Sequence, residues 1–268
     1  MTKLSVMVLC GPSPRHIYFA NTLSSTGRVV AIVQEVGTHW TAKKVVKTLR
    51  PDNFFRKSWR WLRDRKRYAD GRESKFFFGE SEPVLTQTVR ALTVAHINDP
   101  SLLRLAEDLS PDLIAVFGTS LIRDDLLRPG RSALINLHGG LSPSYRGADC
   151  TFWALYHGEP DQVGCTLHFI DRGIDTGLLV AHVRPEVHED DDELTLFWRA
   201  VRDSTEAFKE LLDRIEQGER FGQLQRENGR LYQVRDRRLY HERDLAERLR
   251  GGMLRDVDLP RRVTWYPV

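Results

Sequence analysis

The stretch ALINLHGGLSPSYRGAD, residues 133–149, joins a short apolar run to a polar pair and a loop rich in glycine and proline. Such a run, bounded by turn residues, is typical of a buried strand. Asn136 and His138 stand two positions apart, so on an extended chain both side chains leave the same face. Alone, the pair fits a catalytic site, but it also fits a turn or a hydrogen-bonded core group.

The rest of the chain indicates the sheet to which this strand belongs. Over the first 140 residues, apolar strands alternate with helical segments, the strands being 4–10, 28–34, 111–118 and 132–138. This alternation predicts an α/β fold, a Rossmann-like and mostly parallel sheet flanked by helices. Asn228-Gly229, between two alternating runs, predicts a β-hairpin. We therefore expect a catalytic domain at 1–218, ending with a long helix, and a short C-terminal β-hairpin extension at 219–268.

Composition excludes several classes of protein. The chain has 268 residues, of which 41% are hydrophobic and 29% charged, as in ordinary globular proteins. No apolar run approaches the roughly 20 residues that span a bilayer, and Gly11-Pro12 interrupts the apolar start, so we expect a cytoplasmic protein. The three cysteines form no CxxC, and the nine histidines form no HExxH or His-x-His, so we predict no disulfide framework and no metal.

Positive charge is concentrated in one segment. The net charge is only +3, yet residues 43–75 hold 13 Lys and Arg against 4 Asp and Glu. Four aromatic residues, Phe54, Phe55, Trp59 and Trp61, lie within it. We interpret this basic-aromatic segment as a solvated helix pair whose aromatic side chains pack on the core. The alternatives are a lid over a phosphate-bearing substrate and a helix that lies on a membrane surface.

Polar residues follow three of the predicted strands. Strand 111–118 runs into GTSLI, strand 132–138 ends in Asn136 and His138, and strand 163–170 runs into DRGIDTG. In parallel α/β sheets, ligands bind at the carboxyl ends of the strands. A carboxylate there can hold an imidazole in one tautomer, and an amide can bind a developing oxyanion. With no serine or cysteine nucleophile between them, such groups suit direct acyl transfer to an amine.

The region 135–180 resembles the folate-dependent formyltransferase family, which includes glycinamide ribonucleotide transformylase, methionyl-tRNA formyltransferase and the nucleotide-sugar N-formyltransferases. The resemblance rests on three motifs, Asn-x-His at 136–138, LSPSYRG at 141–147 and the D-x-x-x-D-x-G turn at 171–177. It implies that Asn136, His138 and Asp175 are catalytic. It also implies that 10-formyltetrahydrofolate donates the formyl group and leaves as tetrahydrofolate. The implied folate-binding residues are Phe117, Gly118, Thr119, Ser120, Leu121, Ile122, Asp171, Gly173 and Ile174.

The resemblance also implies a mechanism. The acceptor amine attacks the formyl carbon, Asn136 and a protonated His138 stabilise the oxyanion, and Asp175 holds His138. Asp171 is expected to form the turn or to face the pterin rather than to catalyse.

The acceptor side departs from the better-known branches of the family. In those branches proline follows the catalytic histidine, whereas this chain has Gly139-Gly140. The residues expected at the acceptor are Ser13, Arg15, Gly139, Gly140, Tyr145 and Arg146. Two of these expectations have alternatives: the turn 10–16, with His16, binds phosphate or is an ordinary βα turn, and Arg146 contacts the acceptor or stabilises its loop.

We predict that the acceptor is a small, phosphate-bearing amine, a nucleotide-linked amino sugar of cell-surface polysaccharide synthesis, and that the enzyme is a homodimer. Other acceptors remain open, namely a hydroxyornithine-type amine, glycinamide ribonucleotide and methionyl-tRNA. A hydrolase of 10-formyltetrahydrofolate and a non-catalytic basic binding module are the alternatives from other classes. No nucleic-acid partner is expected, because a tRNA-acting member carries a C-terminal β-barrel, for which the residues after Gly218 are too few.

Overall fold

The computed structural model describes residues 3–37, 51–123, 126–127, 132–226 and 229–268. Its main sheet has eight strands: β1 Val6–Cys10, β2 Val29–Glu35, β3 Arg90–Val94, β4 Leu113–Phe117, β5 Ala133–His138, β7 Cys165–Phe169, β8 Leu179–Arg184 and β10 Arg262–Trp265. A second, two-stranded sheet pairs β6 Tyr145–Gly147 with β9 Arg230–Tyr232. The strand order in the main sheet is β10-β8-β7-β5-β4-β1-β2-β3.

Helices cover both faces of the main sheet. They are α1 Pro14–Ser24, α2 Pro51–Arg67, α3 Arg72–Phe78, α4 Pro100–Leu109, α5 Cys150–Tyr156, α6 Glu193–Glu216 and α7 Leu239–Arg250. Residues of β1 alternate between the two cores, because successive side chains of a strand point to opposite faces. Val6 and Val8 pack with α1 and α6, whereas Met7 and Leu9 pack with α4. The predicted fold class is therefore confirmed.

The strand directions place the polar ends identified in the sequence. Strands β3, β2, β1, β4 and β5 run parallel, so the carboxyl ends of β1, β4 and β5 lie at one edge of the sheet. Strand β7 is antiparallel to β5, and its His168 stands directly opposite Asn136 in the register. The turn that carries Asp175 then joins β7 to β8.

The C-terminal extension contributes two short strands, β9 and β10. Asn228 lies outside the described residues, and the described segments beside it pair with other elements: Gln223 bridges Leu179, and β9 joins β6. Strand β10 pairs with the edge strand β8. Gly229 serves a close approach of two chain segments, because a Cβ there would overlap the carbonyl oxygen of Pro143. The predicted turn at Asn228-Gly229 and the domain boundary after residue 218 stay predictions.

Among the described residues, no helix combines the length and the apolar character needed to cross a membrane.

Candidate active site

The three residues expected to be catalytic meet at the carboxyl end of β5. His138 Nδ1 lies 3.4 Å from Asp175 Oδ2, and the backbone N–H of Gly147 donates to the same oxygen at 2.9 Å. Asp175 adopts a left-handed backbone conformation, with φ of 53°. Asn136 lies two residues before His138 on the strand. The structure therefore assembles the trio that the sequence motifs imply.

His138 is neutral and Asp175 is ionised at neutral pH. Burial lowers the pKa of His138, although the Asp175 carboxylate acts in the opposite direction. Burial raises the pKa of Asp175, but His138, His168 and the Gly147 N–H together outweigh it and bring that pKa to about 2. His138 Nε2 lies 3.3 Å from the Tyr145 carbonyl oxygen. A proton gained by His138 would therefore be stabilised by the carboxylate at one nitrogen and by the carbonyl at the other.

Asn136 is held by a residue that the sequence analysis did not assign to the site. His168 Nδ1 lies 2.8 Å from the Phe169 carbonyl oxygen, and its Nε2 lies 3.6 Å from Asp175 Oδ1. Asn136 Nδ2 lies 3.1 Å from the same Nε2. This contact engages the side-chain amide nitrogen of Asn136, which carries two N–H groups. The alternation of CTLHF predicted that His168 lies on a strand, but only the register against β5 shows its neighbour.

Two loops flank the trio where the folate was expected. The loop 118–122 follows β4, which is next to β5 in the sheet, and Ser120 donates from its N–H and its hydroxyl to the buried Glu35 at 2.6 and 2.8 Å. In the other loop, Asp171 accepts from the Gly173 N–H at 2.9 Å, as a turn-forming residue does. Leu121 and Ile174 expose 58% and 47% of their surface on these two loops. Such apolar edges suit a flat aromatic ring.

A cavity of about 330 Å³ opens beside His138. Its walls come from the turn after β1, the ends of β4 and β5, the residues around Asp149, helix α2 with the adjacent Tyr68, and the first turns of α5 and α6. Of the predicted folate residues, only Phe117 and Gly118 line it, so this acceptor cavity, as we name it, differs from the predicted folate cleft. A larger cavity of about 480 Å³ lies at the amino ends of β4 and β5, away from the trio.

The turn after β1 is satisfied by groups of the protein itself. The backbone N–H and the guanidinium of Arg15 both donate to Glu73 Oε1, at 3.2 and 2.7 Å. The Ser13 N–H donates to His16 Nδ1 at 3.3 Å. A buried carboxylate therefore occupies the position at the N-terminus of α1 where a phosphate was considered. The structure gives the phosphate interpretation of this turn no support.

Tyr145 and Arg146 face away from the acceptor cavity. The Tyr145 hydroxyl donates to Glu159 at 2.5 Å, and the side chain is almost fully buried. Arg146 donates to the Gly229 carbonyl oxygen at 3.2 Å and so ties its loop to the C-terminal extension. Neither residue lines the cavity that was expected to include both. Both side chains tie their loop to neighbouring segments, and their contact with the acceptor stays a prediction.

The two glycines after His138 are required by close packing. A Cβ at Gly139 would lie 2.7 Å from Phe197 Cε2, and one at Gly140 would lie 2.6 Å from Cys150 Cβ and 2.8 Å from His138 Nε2. Real Cβ atoms essentially never approach so closely. The Gly-Gly step therefore lets α6 and α5 reach the end of the catalytic strand.

Comparison with known proteins agrees with this geometry. The family model described as "Formyl transferase" matches residues 36–212, about two thirds of the chain. The chain belongs to the formyl transferase family. Methionyl-tRNA formyltransferase of Caldanaerobacter subterraneus subsp. tengcongensis is 29% identical over 165 residues, which are 60% of this chain and 53% of that protein. The match thus spans about half the length of that curated relative.

Solved structures share the formyl transferase fold. A sugar N-formyltransferase from Shewanella superposes with a TM-score of 0.56 and 15% identity, covering 90% of this chain and 86% of that one. Glycinamide ribonucleotide transformylase 1 from Symbiobacterium toebii gives 0.53 and 19%, covering 86% and 95%. At these identities the likeness shows the fold alone. The predicted family resemblance is confirmed.

In this formyl transferase the basic-aromatic segment forms part of the acceptor cavity. Arg63, Asp64 and Arg67 of α2, together with Tyr68, line the wall opposite the strand ends. Trp61 is 60% exposed, so it does not pack on the core as expected. The side chains of Phe54 and Phe55 and all of residues 43–50 lie outside the described part of the chain. The described geometry favours the lid interpretation over the solvated helix pair.

Among the described residues of this formyl transferase, no group of three His, Cys, Asp or Glu side chains is arranged to hold a metal ion.

Proposed function

We propose that this protein is an N-formyltransferase that moves a formyl group from 10-formyltetrahydrofolate to the amine of a small acceptor. The observation that carries the proposal is the constellation of Asn136, His138 and Asp175, with His138 Nδ1 3.4 Å from the carboxylate. Membership of the formyl transferase family supports the same reaction class. The folate would supply an activated formyl group, held by the loops 118–122 and 171–177.

The protonation states suggest how the trio acts. In neutral His138 the ring proton is on Nδ1, toward the Asp175 carboxylate, so Nε2 accepts the proton that the amine loses as the amine nitrogen bonds to the formyl carbon. The imidazolium that results is stabilised by Asp175 and by the Tyr145 carbonyl. A side-chain N–H of Asn136 binds the oxyanion. His138 then gives the proton to the folate nitrogen that leaves the formyl carbon, so His138 is neutral again at the end of the reaction.

This sequence of steps revises one expectation. A protonated His138 was expected to meet the substrate, but burial lowers its pKa in the free enzyme. His138 therefore begins as the base and becomes the acid only within the reaction. Activity is expected to fall at acidic pH, because both the amine and His138 must be unprotonated at the start.

We propose a nucleotide-linked amino sugar as the acceptor. A cavity of about 330 Å³ is within the range of small-molecule sites, and it adjoins His138 and touches the predicted folate residues only at Phe117 and Gly118. A hydrolase would need room only for water, so the cavity favours transfer over hydrolysis. The small acceptor, the homodimer and the cytoplasmic location are predictions of this proposal.

The proposal is tested by incubating the protein with 10-formyltetrahydrofolate and dTDP-, UDP- or GDP-linked amino sugars. Formation of tetrahydrofolate together with a sugar that has gained one CO unit by mass spectrometry is the expected result. His138→Gln is the control, because glutamine keeps hydrogen-bonding groups but cannot act as the base. Folate turnover without any acceptor would indicate the hydrolase instead, and no turnover with any amine would refute the proposal.

A further inference from the structure

The acceptor cavity contains one aromatic side chain whose position depends on a missing Cβ. Phe197 lies in the second turn of α6, is half-buried and lines the cavity. Its Cε2 atom would lie 2.7 Å from a Cβ at residue 139, so its ring reaches the strand end only because that residue is glycine. The Arg15 guanidinium lies over the same ring, 5.6 Å from the centroid.

The charged groups of the cavity are arranged as ion pairs. Arg67 Nη2 lies 2.7 Å from Glu193 Oε2, and Arg63 Nη2 lies 2.7 Å from Asp64 Oδ1. Arg15 is paired with Glu73 at 2.7 Å. Because each lining arginine already has a carboxylate partner, the cavity offers little net attraction to a phosphate group. It does offer fixed donors and acceptors close together, which suits a ligand with several neutral hydroxyl groups.

One further polar group on the wall points to the same kind of ligand. Thr151 is 96% buried, lines the cavity and has no hydrogen-bond partner for its hydroxyl among the described residues. Buried hydroxyl groups nearly always have a partner, so a ligand that drew the Thr151 side chain toward the cavity would supply the partner this hydroxyl lacks. A sugar ring has both hydroxyl groups for such contacts and an apolar C–H face that can pack on an aromatic ring.

We propose that the ring of the acceptor sugar binds against Phe197, with its hydroxyl groups read by the Arg67–Glu193 and Arg63–Asp64 pairs, and that Gly139 is the residue that makes this subsite possible. The inference rests on the proposed function, since it assumes an aminated sugar as acceptor. The uncharged ring lies inside the cavity, and the nucleotide with its phosphates lies outside it. Residues 139 and 197 then act together as specificity determinants.

The test is a mutant cycle at these two positions, assayed with the amino-sugar nucleotide that the wild-type enzyme formylates best. Phe197→Ala removes the aromatic ring on which the sugar packs and is expected to raise the KM for the acceptor by about tenfold or more. The kcat and the KM for folate are expected to stay within about threefold of the wild-type values. Gly139→Ala is expected to raise the acceptor KM similarly, because its Cβ displaces the ring. In Gly139→Ala/Phe197→Ala the ring that the new Cβ would displace is already absent, so the effects of the two substitutions on the acceptor KM are expected to be far from additive.

Phe78→Leu is the matched control, since Phe78 packs against Tyr18 outside the cavity. A direct readout is saturation transfer by NMR from the protein to the sugar-ring protons, which is expected in the wild type and lost in Phe197→Ala. Three outcomes would each overturn the inference. They are an unchanged acceptor KM in Phe197→Ala, an equal rise in KM for acceptor and for folate, and additive effects of the two substitutions. If the wild-type enzyme formylates no amino sugar at all, the proposed function itself has failed.

Discussion

Replacement of Arg237 by methionine tests how the C-terminal extension supports the active site. Arg237 precedes α7, and its side chain is 1% exposed. Its guanidinium donates to Glu193 at 2.7 and 2.8 Å, to Asp149 at 3.1 Å and to Glu242 at 2.5 Å. It also stacks over Phe152, 3.7 Å from the ring centroid. One buried cation thus joins the extension to two carboxylates that line the acceptor cavity.

The cost of the substitution follows from the partners that remain. Glu193 keeps Arg67 at 2.7 Å, and Glu242 keeps Arg63 at 3.0 Å. Asp149 loses the one ion pair it makes among the described residues. Removal of one partner from a buried ion pair costs about 3–5 kcal/mol, and the surviving pairs place Arg237→Met near 3 kcal/mol. For a chain of this size, that corresponds to a fall in Tm on the order of 10 °C.

The dependence on pH identifies the cause of this loss. Burial raises the pKa of Glu193, but Arg237 and Arg67 outweigh it and hold the pKa below the usual 4.5. A carboxyl group with a depressed pKa in the folded state stabilises the fold above its unfolded pKa, and this contribution is lost as the pH falls through the folded value. Arg237→Met removes part of the stability that ionised Glu193 contributes to the folded state. The difference between wild type and variant is therefore expected to narrow as the pH falls below about 4.5.

The measurement is urea unfolding followed by circular dichroism, at pH 7 and again near pH 4. Arg248→Met is the matched control on α7: Arg248 is 43% exposed, pairs with Asp244 one turn away and donates to the Tyr156 carbonyl oxygen at 2.7 Å. An exposed pair of this kind is worth about 1 kcal/mol or less. A loss below about 1 kcal/mol for Arg237→Met, or the same loss at both pH values, would refute the reasoning.

Three further outcomes are expected. His138→Gln lowers kcat on the order of 10²-fold or more in the formyl-transfer assay while the circular dichroism spectrum is unchanged, and a loss of only a few-fold contradicts its role as base. Gly140→Ala lowers kcat by about tenfold or more, because the new Cβ would lie 2.8 Å from His138 Nε2. Adding Cys150→Gly to this variant removes the other close contact and restores part of the rate. Equal rates in Gly140→Ala and in Gly140→Ala/Cys150→Gly would argue against the steric explanation. Burial lowers the pKa of His182 from 6.5 to about 4, so between these values the unfolded chain binds a proton that the folded chain does not. The free energy of unfolding then falls by about 3 kcal/mol from pH 6.5 to pH 4, and urea titrations of His182→Phe should lack that component of the fall.

The half of the candidate site that holds Asn136, His138 and Asp175 could be predicted because it is encoded locally. Asn136 and His138 are two residues apart on one strand, and Asp175 follows the strand that pairs with it. Strand periodicity and motif spacing suffice to bring such groups to one edge of a sheet. The sequence pattern placed His168 on a strand but did not show that it contacts Asn136. Cross-strand register depends on where two distant segments of the chain meet, and no local pattern gives it.

The acceptor half could not be predicted, because its walls come from segments that no local pattern relates to one another. Arg67 of α2 pairs with Glu193 at the start of α6, and these residues are more than a hundred positions apart. Asn228-Gly229 fits a tight turn equally well, yet Gly229 is needed for its approach to Pro143. The reason for Gly139-Gly140 likewise could not be predicted from the sequence. The sequence marks the step as a departure from related formyltransferases, but its cause is the space taken by Phe197 and Cys150, and that cause exists only once the helices have packed. Packing contacts of this kind can therefore reshape the acceptor cavity while Asn136, His138 and Asp175 stay in place.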